Sequence, residues 1–271
     1  MAKTISIAAA SLVLMTSAAF AEGHCAAGKT LTEGKLTVAT GNPAYYPWVL
    51  NDDPESGDGF EAEVAYAVAA EMGFAEEDVV WVRSSFDEAI QPGAKNFDLN
   101  MQQYSITPER EQVVDFSAPY YTAPMAVLVG SGAVDTPPTF EALKSLKWGA
   151  VGTTTAVPKL TEVVQPDSDP LLYGDNADVN AAIIANQIDA ALFDLPTALF
   201  LSAVMIEGSK VIGQFVPDAS DNPDQFGMLM EEGNPLKTCV DDALAAMTES
   251  GALAEIEARW LQDTTGVPLI D

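Results

Sequence analysis

Phe97-Asp-Leu-Asn-Met-Gln-Gln-Tyr-Ser-Ile-Thr-Pro-Glu-Arg110 is the stretch on which the fold turns. Asp98-Leu-Asn-Met101 reads as a short strand, and polar residues follow it at once: Gln102, Gln103, Ser105 and then Arg110. Working outward, Lys35–Thr40 alternates and is rich in β formers, so it reads as a strand. Asn42–Pro47 is a loop. Phe60–Met72 has apolar residues at helical spacing, with Gly73 as a stop. Val79–Val82 is a strand and Phe86–Ala94 a short helix. The first half is therefore β-α-β-α-β.

The order recurs. Lys147–Val151 is a strand, Gly152-Thr-Thr-Thr155 a loop and Ala156–Val164 a helix. Leu171–Tyr173 is a strand, Val179–Asn186 a helix and Asp189–Phe193 a strand. Both halves place an Asn and then an Asp ahead of the last strand: Asn96 and Asp98, Asn186 and Asp189. Such alternation implies α/β architecture, with parallel pairing and helices on the sheet faces. Phe226–Met230 resumes a strand, and Leu236–Leu261 supplies two helical stretches. If this last piece returns to the first half, the chain crosses twice and makes a hinge; if it stays with the second, the halves are two beads on one linker.

The chain has 271 residues and a formal net charge of −28 from 12 basic and 40 acidic residues. That balance argues against nucleic acid and anionic membranes, which both demand Lys/Arg patches. His24 is the single histidine, so a Ser-His-Asp triad, a Cys-His pair and a His-based metal site are all excluded as working ideas. With no phosphate loop either, no cofactor and no metal are expected. Residues 1–21 carry one early Lys, an uncharged run to Phe20 and Ala-Phe-Ala21, the form of a secretory signal peptide cleaved near Ala21. A retained anchor helix is the alternative, although the run is short for a membrane span. Export makes an even cysteine count meaningful: Cys25 and Cys239 are read as a disulfide, with two free thiols as the alternative.

In sheets of this kind ligands bind beyond the carboxyl ends of the strands. Arg110 sits at such an end, and guanidinium grips a carboxylate with paired hydrogen bonds; a surface ion pair is the competing reading. Ser105 adds a hydroxyl. The Gly152–Thr155 loop opens a helix and offers backbone N–H groups to an anion, or merely caps the helix. Asp194 receives an ammonium or caps the helix after Pro196. Tyr45, Trp48 and Phe86 flank a side chain or belong to the core, and for Trp48 the core is favoured. One Arg, one helix start, one acid and aromatics together complement an amino-acid zwitterion.

The 97–110 stretch, continued by Val114-Asp-Phe-Ser-Ala-Pro-Tyr-Tyr121, resembles the signature of family 3 extracellular solute-binding proteins, the periplasmic amino-acid receptors of ABC importers. Gly59-Phe60-Glu61, Phe86-Asp87, Gly152-Thr-Thr154, Ile188-Asp-Ala190 and Ile256–Trp260 add to the likeness. The resemblance implies a two-lobed type II periplasmic-binding-protein fold, each lobe a mixed sheet flanked by helices. Lobe 1 is then 22–121 plus 226–271, lobe 2 is 125–217, and the hinge segments are 122–124 and 218–225. It also implies roles: Arg110 and Ser105 for the ligand carboxylate, Thr153 and Thr154 closing from lobe 2, Asp194 for the α-amino group. Tyr45 and Phe86 would flank the side chain, with Asn42 and Gln103 completing the pocket. Asn42 stands where receptors for basic ligands and glutamine carry Asp, which favours a neutral or other polar ligand. The implied function is binding of a polar or neutral amino acid by a periplasmic monomer that delivers it to an ABC permease, without catalysis. An exported enzyme on the same fold and a ligand sensor for a chemoreceptor are the alternatives.

Overall fold

The computed structural model describes residues 25–215, 224–261 and 266–270. The expected signal peptide lies outside the described residues, as does most of the expected hinge segment 218–225. The strands of the first half are β1 (Leu36–Thr40), β2 (Val79–Arg83), β3 (Leu99–Asn100), β4 (Val114–Phe116) and the two-residue β5 (Tyr121–Thr122). The second half gives β6 (Met125–Val129), β7 (Trp148–Val151), β8 (Leu171–Tyr173), β9 (Ala190–Asp194) and β10 (Lys210–Gln214). β11 (Gln225–Phe226) and β12 (Leu229–Glu231) follow.

Two five-stranded sheets result, in the orders β2-β1-β3-β12-β4 and β8-β7-β9-β6-β10. The orders correspond strand for strand. In each, the three leading strands are parallel, and the fourth runs antiparallel to both its neighbours. Strands β6 and β10 do not show in the periodicity of the sequence. Met125–Val129 is buried on both faces apart from Met125, so it is continuously apolar and lacks the alternation that marks a half-exposed strand.

The repeated Asp has one job in both halves. Asp98 accepts hydrogen bonds from the backbone N–H of Thr37 at 2.7 Å and of Leu31 at 2.8 Å. Asp189 accepts from the N–H of Lys147 at 2.9 Å. Each acid just ahead of the third strand thus ties down the start of the neighbouring first strand.

Helices α1 (Phe60–Glu71), α2 (Phe86–Ala89), α3 (Phe140–Lys144), α4 (Ala156–Pro158, running on through a wider turn to Val164), α5 (Asn176–Ile184) and α6 (Leu195–Phe200) cover the sheets, and α7 (Lys237–Ser250) and α8 (Ala252–Trp260) pack on α1. Helix α1 buries Phe60, Val64, Ala65 and Val68 against Leu36, Leu99, Val240 and Leu244. Each such fully buried Leu contributes roughly 1.5–3 kcal/mol. Gly59 starts α1 at φ 114°, and a Cβ there would lie 2.5 Å from the Trp48 carbonyl oxygen; only glycine admits this close approach. No helix among the described residues is long and apolar enough to cross a membrane.

Two expectations are corrected. The tail after α8 does not stay with the first sheet: Leu269 bridges Gln214, and Ile270 is buried in the core under the second sheet beside Ile212 and Phe215. The apolar Val267–Ile270 run finds its cover there. Cys25 and Cys239 come together as free thiols, not as the expected disulfide. Cys25 is hydrogen-bonded to Cys239, and desolvation with that bond pushes its thiol up to about 11, so the reactive thiolate is suppressed at neutral pH.

Candidate functional site

A cavity of about 390 Å³ opens between the two sheets, at the carboxyl ends of β1, β3, β7 and β9. Asn42, Tyr45, Phe86, Gln103, Ser105, Arg110, Thr154 and Asp194 all line it. Eight of the nine residues expected from sequence therefore share one space. Thr153 does not line it. Its hydroxyl is 2.5 Å from Asp87 Oδ1, and its carbonyl oxygen accepts from Arg110 at 2.9 Å. Thr153 bridges from the second half to Asp87 and Arg110 of the first.

Arg110 opens a short turn, Arg110–Gln112, after β3 and is 8% exposed. One guanidinium nitrogen donates to the Ser105 carbonyl at 2.7 Å and the other to Thr153 of the opposite lobe. The group lies 5.3 Å from the centroid of the Phe86 ring, which is stacked on Tyr104 at 4.4 Å. Over an aromatic face and held at two nitrogens, it is fixed in orientation. Among the described residues near it no carboxylate pairs with it. Burial lowers its pKa, yet an arginine stays charged at any physiological pH. It is a buried cation facing a cavity.

Asp194 ends β9 and caps α6, accepting the N–H of Thr197 at 2.8 Å. The cap forms through one carboxylate oxygen, and the residue also lines the cavity. Burial pushes its carboxyl up to about 6, opposed by hydrogen bonds from Thr197. A cationic partner would restore the ionised form.

Behind Gln103 stands Glu61, 1% exposed. It accepts from the Gln103 N–H at 2.9 Å, the Gln103 side-chain amide at 2.5 Å and the Tyr120 hydroxyl. Gln103 has φ 54°, in the left-handed region, and these two bonds hold it there. Desolvation pushes the Glu61 carboxyl up to about 7. Gln102 also lines the cavity, its amide donating to Asn100 Oδ1 at 2.9 Å and the Tyr104 hydroxyl at 3.1 Å.

Over residues 36–263 the sequence matches the family described as bacterial extracellular solute-binding proteins, family 3. The chain belongs to this family. It is 28% identical over 243 residues to the L-cystine-binding protein TcyJ of Escherichia coli (strain K12), covering 86% of this chain and 84% of that protein. Among solved structures it is similar to an ancestral arginine-binding protein bound to glutamine, with 25% identity, a TM-score of 0.69 and coverage of 86% and 100%. A second is the ancestral amino acid-binding protein AncCDT-1, a precursor of cyclohexadienyl dehydratase, with 28% identity, a TM-score of 0.66 and coverage of 84% and 95%. The two-lobed type II fold of the family is the one described above.

Sequence reasoning missed the rest of this family member's cleft acids. Asp87, Asp175 and Asp224 line the cavity with Asp194. Asp175 caps α5, accepting the N–H of Asp178 at 2.8 Å, and Asp224 lies 3.3 Å from the Thr155 hydroxyl. Nothing local marks them in a chain with 40 acidic residues. Among the described residues no group of three His, Cys, Asp or Glu side chains is arranged to hold a metal.

Proposed function

We propose that this protein binds an L-α-amino acid with a polar side chain between its lobes, closes over it, and delivers it to the permease of an ABC importer. One observation carries the reading: Arg110 and Asp194 face the same cavity from opposite sheets. Their charges match those of a zwitterion, carboxylate to Arg110 and Ser105, ammonium to Asp194. Tyr45 and Phe86 flank the side chain, and Asn42, Gln103 and Thr154 offer it hydrogen bonds. Thr153 acts in closure, by its bonds to Asp87 and Arg110, and not by touching the ligand. The acids at Asp87, Asp175 and Asp224 favour a side chain rich in N–H donors, such as L-arginine or L-glutamine, and repel L-glutamate.

The segments 122–124 and 218–225 serve as hinges. The mature protein is a periplasmic monomer, exported through the segment cleaved near Ala21. It is a receptor and not an enzyme. The likeness to a dehydratase precursor gives the enzyme reading its one support, and an elimination needs an acid or base at the ligand. Glu61, the acid poised near neutrality, stands behind Gln103 and is saturated by three donors.

The test is a thermal-shift screen of the mature protein, refolded from denaturant to strip carried-over ligand, against the common L-amino acids and L-cystine. A ligand at about 100 times its Kd adds roughly 2.7 kcal/mol. A chain of this size should then gain about 5 °C or more in midpoint. No shift with any of them sinks the amino-acid reading. Loss of the bound amino acid over hours, followed by NMR, would establish turnover and the enzyme reading instead.

A further inference from the structure

Glu61 holds three donors with two oxygens, and it holds them unevenly. Its Oε1 accepts the backbone N–H of Gln103 at 2.9 Å and the Tyr120 hydroxyl. Its Oε2 accepts only the side-chain amide of Gln103, at 2.5 Å. An ionised carboxylate can only accept, so the amide nitrogen of Gln103 has to face it. The amide oxygen is then turned away from Glu61. The neighbouring Gln102 is set the same way by neutral partners, its amide nitrogen donating to Asn100 Oδ1 and to the Tyr104 hydroxyl. Both glutamines line the cavity. Each gives its nitrogen to the protein and keeps its oxygen for a ligand.

A proton added to Glu61 must displace one of the three donors. The backbone N–H cannot turn. The Tyr120 hydroxyl is 2% exposed, and yielding to a proton on Oε1 would leave its own hydrogen buried and unpaired. Gln103 can yield. With a proton on Oε2, its amide turns over, its oxygen accepts from Glu61, and its NH2 group passes to the cavity side, where water or a ligand takes it. Burial brings the Glu61 carboxyl to about 7, so both forms occur at ordinary pH. The other titratable groups facing Glu61 are Tyr120 ahead of β5, Tyr104 after β3 and Asp194 at the end of β9. Burial raises both tyrosines, so they stay neutral, and Asp194 titrates lower, at about 6.

Resting on the amino-acid reading of this cleft, we propose that Glu61 is a positioning residue that sets the polarity of the Gln103 side chain at the ligand. Ionised, it makes Gln103 an acceptor and selects a ligand side chain that donates. Protonated, it makes Gln103 a donor and selects one that accepts. Gln102, held by neutral groups, does not change.

Two measurements on the mature protein test this, with each variant checked for folding by circular dichroism. In the first, NMR of the ligand-free protein follows the side-chain amide of Gln103 and the carboxyl carbon of Glu61 from pH 5 to 8. They are expected to titrate together, and in Glu61→Gln the Gln103 amide should no longer move with pH. In the second, calorimetric titration compares L-glutamine with the γ-methyl ester of L-glutamate, which has nearly the same shape and charge but no side-chain N–H. Asp194 serves the α-ammonium of both, so it drops out of the ratio of their dissociation constants. Between pH 5 and 8 the ester is expected to lose about tenfold against glutamine, the size of one hydrogen bond. Glu61→Gln should hold the acid ratio at every pH, because its amide nitrogen stands where Oε2 stood and donates to Gln103. Gln103→Met should make the ratio independent of pH. A Gln103 amide that does not titrate with Glu61, or a constant ratio in the unaltered protein, overturns the proposal and leaves the amino-acid reading intact. Movement of the Tyr120 signals in place of those of Gln103 puts the proton on Oε1 and overturns it as well. If neither ligand binds the unaltered protein while L-arginine does, the proposal alone falls; if none of the three binds, the amino-acid reading falls with it.

Discussion

Arg110 owes its fixed orientation to what surrounds it. Its guanidinium stands over the Phe86 ring and is tied at two nitrogens to backbone carbonyls of both lobes. Such a group meets a carboxylate with little reorganisation, so truncation should be severe. Arg110→Ala is expected to cost about 2–5 kcal/mol of ligand affinity, because the ligand carboxylate is left unpaired in a dehydrated cleft; titration calorimetry measures it. Glu61 yields a second expectation. Its folded carboxyl titrates near 7, above the usual carboxylate value of about 4.5, because it is buried. The folded state thus holds this proton where the unfolded chain has released it. The stabilisation is complete below about pH 4.5 and is lost as pH rises toward 7. Glu61→Gln should flatten that part of the ligand-free stability profile, as read from denaturant unfolding at several pH values. That Arg110, Ser105 and Asp194 line one cavity was legible in the sequence, because all three stand at strand ends of a β-α-β pattern. That the Trp48 indole donates to the Thr197 hydroxyl was not. A threonine one residue after a proline and a tryptophan in a loop carry no local sign that they meet across the molecule.

Elements were legible where the chain alternates and hidden where it does not. The strand Leu36–Thr40 and helix Phe60–Glu71 stand where the sequence placed them, although all five strand residues are buried. The helix expected over 86–94 stops at Ala89, because the Ser85 cap starts it and the Pro92-Gly93 pair lies just ahead. The expected strand at Phe226–Met230 splits at Gly227, which packs its bare Cα against Ile106 and Phe116. The paired acids Asp98 and Asp189 hold equivalent strands, but at different depth: Asp98 is 2% exposed and Asp189 half-buried. Asp98→Ala leaves two backbone N–H groups without their acceptor, at about 1–3 kcal/mol each where water cannot replace it. Asp189→Ala exposes one N–H that water can reach, and should cost well under 1.5 kcal/mol. Urea unfolding of the two variants measures the difference.

The whole molecule carries net charge −28, and four aspartates line the cleft that closes. Like charges in a compact body repel, and salt screens them over about 10 Å at 0.1 M. The unfolding midpoint of the ligand-free protein should therefore rise between 10 and 150 mM NaCl, at fixed pH, in a differential scanning experiment. A falling midpoint would mean that attractive pairs such as Arg83–Asp52 and Lys35–Asp78 dominate. By itself the sequence determined the α/β class, the duplicated β-α-β order and the strand ends that line the cavity, because hydrophobic period and turn residues act within a few positions. Only the tertiary structure decided which acids face the cleft, that Thr153 ties the lobes and does not line the cavity, that the C-terminal tail returns to the second sheet, and that Trp48 reaches Thr197. Those outcomes depend on contacts between residues tens to more than a hundred positions apart, and such contacts are set by how two sheets pack and face each other, which no local pattern encodes.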